Sequence, residues 1–170
     1  MPLSSPPSPL AKLVTLARAA ELAAVERGAG RTVVLANGAF DLLHAGHVRY
    51  LAAARALGDV LVVAVNSDRS VRGLKGAGRP ILPEAERLEL LAHLACVDWL
   101  VLFDEPSVTE VLRAIRPDIH AKGTDYTPES VPERAVVAEW GGRTAIVGDA
   151  KEHATTDLIN LIVSRSRKHS

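Results

Sequence analysis

The chain is short of cysteine, of aromatic residues, of any charge excess and of long apolar runs, and each shortage narrows its class. One cysteine, Cys96, among 170 residues excludes a disulfide within the chain and fits a reducing compartment. Twenty Lys and Arg balance twenty Asp and Glu, so the basic excess of a dedicated nucleic-acid binder is missing. No apolar stretch reaches bilayer length. Met1 to Pro9 lacks the basic start and apolar run of a signal peptide. A cytoplasmic protein without membrane or nucleic-acid partners is expected. Only 4% of residues are aromatic while 48% are hydrophobic. The apolar content is mostly Ala, Leu and Val, which suits helices packed on a buried sheet.

The order of patterns predicts the architecture. A proline-rich lead, 1–9, reads as disordered. Residues 10–166 are expected to form one domain, with 167–170 a short basic tail. Leu10 to Glu26 has helical spacing and is stopped by Gly28 and Gly30. Apolar runs predict strands at Thr32–Ala36, Val60–Val65, Asp98–Phe103, Ile119–Lys122 and Arg143–Val147. Helices are expected between them at Gly46–Leu57, from Pro83 to about Ala95, Pro106–Ile115 and Glu133–Trp140, with a last one from Thr156 to about Ser166. Asn66 to Pro80 reads as a mobile, glycine-rich basic loop. Strands that are apolar throughout and alternate with helices predict an α/β fold: a doubly wound, Rossmann-like, five-stranded parallel sheet with helices on both faces. Such sheets bind ligands beyond the carboxyl ends of their strands.

The first strand runs into Asn37-Gly38-Ala39-Phe40-Asp41-Leu42-Leu43-His44-Ala45-Gly46-His47. Gly38 permits a tight turn, and His44 and His47 stand three apart as a helix begins, so they share a face. Backbone N–H groups at a helix start attract anions and disfavour imidazolium. Two neutral rings there each offer one N–H to a phosphate oxygen, which suits a transition state whose oxygens gain charge. A zinc pair would need further ligands, and none stands at a supporting spacing. Two packing histidines are the other alternative, and the strand, glycines and helix start speak against it.

Gly38-x-Phe40-Asp41-x-x-His44-x-Gly46-His47 after a first strand resembles the signature of the cytidylyltransferase-like nucleotidyltransferases. More narrowly, the chain is similar to the heptose 1-phosphate adenylyltransferases. Supporting segments are Asn66-Ser67-Asp68, Leu74-Lys75-Gly76, Arg79-Pro80, Arg116-Pro117-Asp118, Lys122-Gly123-Thr124-Asp125-Tyr126, Gly141-Gly142-Arg143 and Thr155-Thr156. The resemblance implies ATP as a substrate with Mg²⁺ held mainly by phosphates and water, a heptose 1-phosphate as acceptor, a homo-oligomer, and a separate sugar kinase upstream. It implies a catalytic set of His44, His47 and Lys75. Nucleotide and phosphate contacts fall to Asn37, Gly38, Phe40, Gly46, Asn66, Arg87, Lys122, Gly123, Thr155 and Thr156. Sugar-phosphate contacts fall to Asp41, Arg79, Asp125 and Tyr126.

Several of these positions also have plain local readings. Thr155 and Thr156 suit helix capping, Asp125 suits a turn after a strand, and Arg87 suits a surface site among Glu84, Glu86 and Glu89. Three departures from the resemblance stand out: Ala39 where cysteine is common, Ala154 where a hydroxyl is usual, and His120 where relatives tend to be apolar. A cytidylyltransferase acting on a polyol phosphate, a nucleotide-binding module without turnover, and an RNA binder, suggested by the histidine motif's likeness to that of class I aminoacyl-tRNA synthetases, are the competing expectations. Arg165, Arg167 and Lys168 make only a short basic tail, which also suits the negative end of a helix.

Overall fold

The structure, a computed structural model, describes residues 8–149 and 155–166. Most of the expected lead, Ala154 and the 167–170 tail lie outside the described residues. Five parallel strands form one sheet: β1 (Val33–Gly38), β2 (Val60–Asn66), β3 (Trp99–Phe103), β4 (Ile119–Lys122) and β5 (Arg143–Ile146), in the order β3-β2-β1-β4-β5. The chain therefore winds outward from β1 to β3, returns, and winds the other way through β4 and β5. The reversal lies between β1 and β4, where Val34 pairs with Ile119 and Ala36 with Ala121.

Strand side chains alternate between two cores. Val34, Ala36, Leu61 and Val63 face α2 (Ala45–Arg55) and α4 (Glu84–Ala92) through Leu51, Ala54, Leu88 and Leu91. Val33, Leu35, Val62 and Ala64 face α1 (Leu16–Gly28), α5 (Thr109–Ile115) and α6 (Arg134–Ala138) through Ala19, Ala23, Leu112, Ile115 and Val137. Both faces are covered, which explains why the strands are apolar throughout. The last helix, α7 (Thr155–Ser166), begins one residue before its expected start.

Two expectations are corrected. The first helix does not begin at Leu10: Pro9–Lys12 is a 3-10 turn, and α1 starts at Leu16 behind Thr15, whose hydroxyl accepts from the Arg18 N–H. The interruption has a cause, because Leu13 bridges to Leu100 and the Val14 N–H donates to the Leu100 carbonyl at 3.0 Å. That contact covers the outer edge of β3. Second, Asn66 to Pro80 is not one mobile loop. Asp68–Lys75 forms α3, capped by Ser67, whose hydroxyl accepts from the Ser70 N–H at 3.1 Å, and ended by Gly76 at φ +88°. Pro83 also stands just before α4, as its cap, rather than inside it.

Candidate active site

At the carboxyl edge of the sheet, over the reversal between β1 and β4, lies a cavity of about 580 Å³. Its floor is the turn after β1. Gly38 lets the Phe40 ring pack close to the backbone, since a Cβ would stand 3.2 Å from that ring and push it back. Phe40 and Leu42 take left-handed φ values of +49° and +55°, which non-glycine residues seldom adopt. Such strain persists where surrounding contacts enforce it. The enforcing contacts centre on Asp41, which is almost wholly buried. Its carboxylate accepts from Arg79 Nε at 2.7 Å and from the Ile81 and Leu82 N–H groups at 2.9 and 3.0 Å. Burial alone would raise its pKa, but these hydrogen bonds and the Arg79 charge outweigh it and hold the carboxyl below its ordinary value.

His44 caps α2. Its Nδ1 accepts from the Gly46 N–H at 3.1 Å, and its own N–H donates to His47 Nδ1 at 3.4 Å. Both Nδ1 atoms are acceptors, so the proton of each neutral ring sits on Nε2. The rings stack with centroids 3.9 Å apart and planes 28° apart, and Phe40 meets His47 edge-on at 5.4 Å. Burial first, then unfavourable electrostatics beside His44 and Lys75, pull the His47 pKa down to about 4. His47 is therefore a neutral hydrogen-bond donor at neutral pH. Lys75 reaches the cavity wall from the last turn of α3, where a cation also suits the negative helix end.

On the opposite wall, β4 delivers Lys122. Its side chain is buried, with Nζ 3.4 Å from Asn37 Oδ1, 3.9 Å from Glu133 Oε2 and 4.6 Å from the centre of the Tyr126 ring. Burial lowers the Lys122 pKa and the Glu133 charge offsets part of that. Gly123, Asp125 and Tyr126 line the same side, and Asn66 closes the far end of β2. Thr155 and Thr156 also reach the wall, and the Thr155 hydroxyl donates to the Asp41 carbonyl at 3.0 Å. The start of α7 is thus tied to the turn after β1. No group of three or more metal-ligating side chains occurs among the described residues.

Two expected residues are not on this wall. Arg79 is turned toward Asp41. Arg87 is buried, neither at the surface nor at the cavity. Its guanidinium donates to the Asn66 carbonyl at 2.8 Å, the Leu82 carbonyl at 3.1 Å, Asp68 at 2.9 Å and the Ala39 carbonyl. It fastens together the segments after β1 and β2. Conversely, sequence reasoning passed over Arg49, Tyr50 and Glu133, all on the wall. The Tyr50 hydroxyl donates to the Ala121 carbonyl at 2.8 Å, and burial pushes its pKa up. Tyr50 follows His47 by three residues, about one helical turn, and was findable by spacing; Arg49 and Glu133 offered no such signal.

A strained turn, a stacked histidine pair at a helix start, Lys75 from the end of α3 and Lys122 from the end of β4 meet at one cavity over the switch point of a doubly wound sheet, the place where such sheets bind ligands. The chain is similar to known proteins. Bifunctional protein HldE of Syntrophotalea carbinolica is 50% identical over 141 residues, 83% of this chain and 29% of that protein. Bifunctional protein HldE of Geotalea uraniireducens is 46% identical over 158 residues, 93% of this chain and 32% of that protein. The chain thus spans about a third of the length of these relatives. The crystal structure of a lipopolysaccharide core biosynthesis protein from Thermoplasma volcanium superposes with a TM-score of 0.61 at 33% identity, covering 73% of this chain and all of that one. Residues 35–168, from the middle of β1 onward, match the cytidylyltransferase-like family, and with the histidine pair and fold in agreement the chain belongs to that family.

Proposed function

We propose that the chain transfers AMP from ATP to a heptose 1-phosphate, giving ADP-heptose and pyrophosphate. The observation that carries the reading is the His44–His47 pair, whose two ring protons are left on Nε2 because the backbone N–H groups of Gly46 and His44 donate to the Nδ1 atoms at the head of α2. A phosphate oxygen of the sugar phosphate attacks the α-phosphorus in line, and pyrophosphate leaves from the opposite side. The acceptor is itself the nucleophile, so no covalent enzyme intermediate is needed. The protein's part is positioning and charge stabilisation. His44 and His47 donate to phosphate oxygens that gain charge as the fifth P–O contact forms. Lys75, on one wall, and Lys122, on the other, offset the negative charge of the two substrates.

The donor set fits a magnesium ion carried in by the nucleotide and held by its phosphates and water, as Mg²⁺ commonly is. In this reading no residue serves as its dedicated ligand, since the buried carboxylate of Asp41 is already engaged. The heptose acceptor is supported by identity to the bifunctional relatives and by the Lys122–Tyr126 segment. A sugar kinase activity must supply the phosphorylated acceptor.

Pyrophosphate release from purified protein tests the reading. ATP with heptose 1-phosphate is expected to give turnover well above ATP alone. Turnover with CTP and glycerol 3-phosphate instead would retain the reaction class and overturn the substrates. Tight nucleotide binding without turnover on any acceptor would make the chain a binding module.

A further inference from the structure

The end of β1 and the middle of β4 are joined by a hydrogen bond that neither the histidine pair nor the cations explain. His120 is wholly buried in β4. It pairs with Leu35 across the sheet, so it shares a face with Asn37, two residues further along β1. His120 Nε2 lies 3.0 Å from Asn37 Oδ1. The other ring nitrogen, Nδ1, is buried without a hydrogen-bond partner. The hydrogen bond to Asn37 is thus the ring's anchor.

Lys122 settles which way the Asn37 amide faces. An amide oxygen and nitrogen are close in shape, and a histidine nitrogen accepts or donates according to tautomer. A lysine ammonium only donates. Lys122 Nζ, at 3.4 Å from the same Asn37 atom, therefore requires the oxygen there. His120 must then donate through Nε2–H, and its Nδ1 carries the lone pair. A proton on Nδ1 would bury an unpaired N–H, which is costly. Burial and the Lys122 charge accordingly pull the His120 pKa down to about 3.

The consequence falls on the cavity. Asn37 lines the cavity, and with its oxygen held toward β4 the NH₂ is the end of the amide left to meet a ligand there. A freely rotating asparagine would offer the oxygen as readily, and a carbonyl oxygen facing phosphate or ribose oxygens is repulsive. We propose that His120 is a positioning residue: it locks the Asn37 amide so that Asn37 donates a hydrogen bond to an oxygen of the bound nucleotide. The inference rests on the reading above that the cavity takes a nucleotide.

The test is calorimetric titration of the full chain with ATP across a double-mutant cycle. His120→Leu is expected to weaken ATP about fivefold, the loss of roughly one oriented hydrogen bond. His120→Gln, which restores an N–H donor, recovers most of it. Asn37→Ala weakens ATP similarly, and His120→Leu added to Asn37→Ala costs nothing more. Asn37→Asp keeps the acceptor for His120 and Lys122 but loses the NH₂, so it weakens ATP more than Asn37→Ala. Unchanged ATP affinity in a folded His120→Leu protein, or an equal loss in the Asn37→Ala background, overturns the proposal. Should His120→Leu not fold, nitrogen-15 spectra of the wild type decide: a neutral His120 ring protonated at Nε2 supports the lock, and an Nδ1–H tautomer overturns it. This binding pattern without pyrophosphate release would sink the proposed reaction and spare the inference. Wild-type protein that binds neither ATP nor CTP would sink both.

Discussion

A neutral histidine is a weak donor in water and a useful one in a dry, preorganised site. His47 owes its neutrality first to burial and then to the unfavourable electrostatics a second proton would meet beside His44 and Lys75. Replacing it with alanine removes one transition-state donor. His47→Ala should lose about 10²–10³-fold in kcat, with thermal midpoint and ATP affinity little changed. A variant with near-normal turnover would show that the ring is packing and not chemistry. The pH dependence follows from the same environment. Activity should hold from pH 7 to about 5 and fall as the pH approaches 4, where His47 takes up a proton. Stability should decline over a wider range. In the unfolded chain His47 and His120 bind protons near pH 6.5; in the folded chain they do so only at about 4 and about 3. Between those limits the unfolded chain holds more protons, so stability falls with falling pH. Urea midpoints from pH 7 to 4 would show the slope. His120→Leu should flatten it, and an unchanged slope would mean that this ring is not buried neutral.

At the scale of elements, Arg87 illustrates what spacing hides. It sits on α4 among glutamates, so the sequence predicts a surface or ligand-binding arginine. Its donors instead reach the carbonyls after β1 and β2 and the Asp68 carboxylate at the head of α3. Arg87→Met would leave those buried carbonyls unpaired at a cost of about 3 kcal/mol. ATP affinity should fall with it, although Arg87 is absent from the cavity wall, because Ala39 and Asn66 line that wall and lose their anchor. Urea unfolding and ATP titration of the one variant would show both losses; unchanged stability would mean the cluster is not holding these elements. The same blindness concealed α3. Its eight residues include four charges and a glycine, with Val71 its sole buried hydrophobic residue, so its apolar face is only Val71 and Leu74, too short to stand out as a helical period. The histidine pair was legible because its geometry is local, three residues on one helix start. Asn37, His120 and Glu133 come together only through strand register and the chain's return past β4, which no spacing encodes.

The whole molecule divides its labour between the two ends of the sheet. The strands themselves were readable as buried apolar runs, and their parallel order pointed to the edge of the sheet where the cavity lies. The other end was silent in the sequence, yet it is built by one repeated device. Asp59 accepts from the Thr32 N–H at 2.8 Å, Asp98 from the Leu61 N–H at 2.8 Å, and Asp118 from the Val33 N–H at 2.7 Å. In each case an aspartate just before or at the start of one strand pairs the first free N–H beside its neighbour, which the parallel ladder leaves without a partner. Asp118 links β4 to β1, the same two strands that diverge around the cavity at their other ends. Removing its carboxylate should therefore loosen the sheet without touching the site. Asp118→Ala is expected to cost about 1–3 kcal/mol, the penalty of a buried, unpaired N–H, while kcat and KM at a temperature where the variant stays folded remain those of the wild type. The opposite pattern is expected of His47→Ala, which spares stability and loses turnover. If Asp118→Ala lost turnover in proportion to stability, the two ends of β1 would be mechanically coupled, and the assignment of stability to one edge and chemistry to the other would fail.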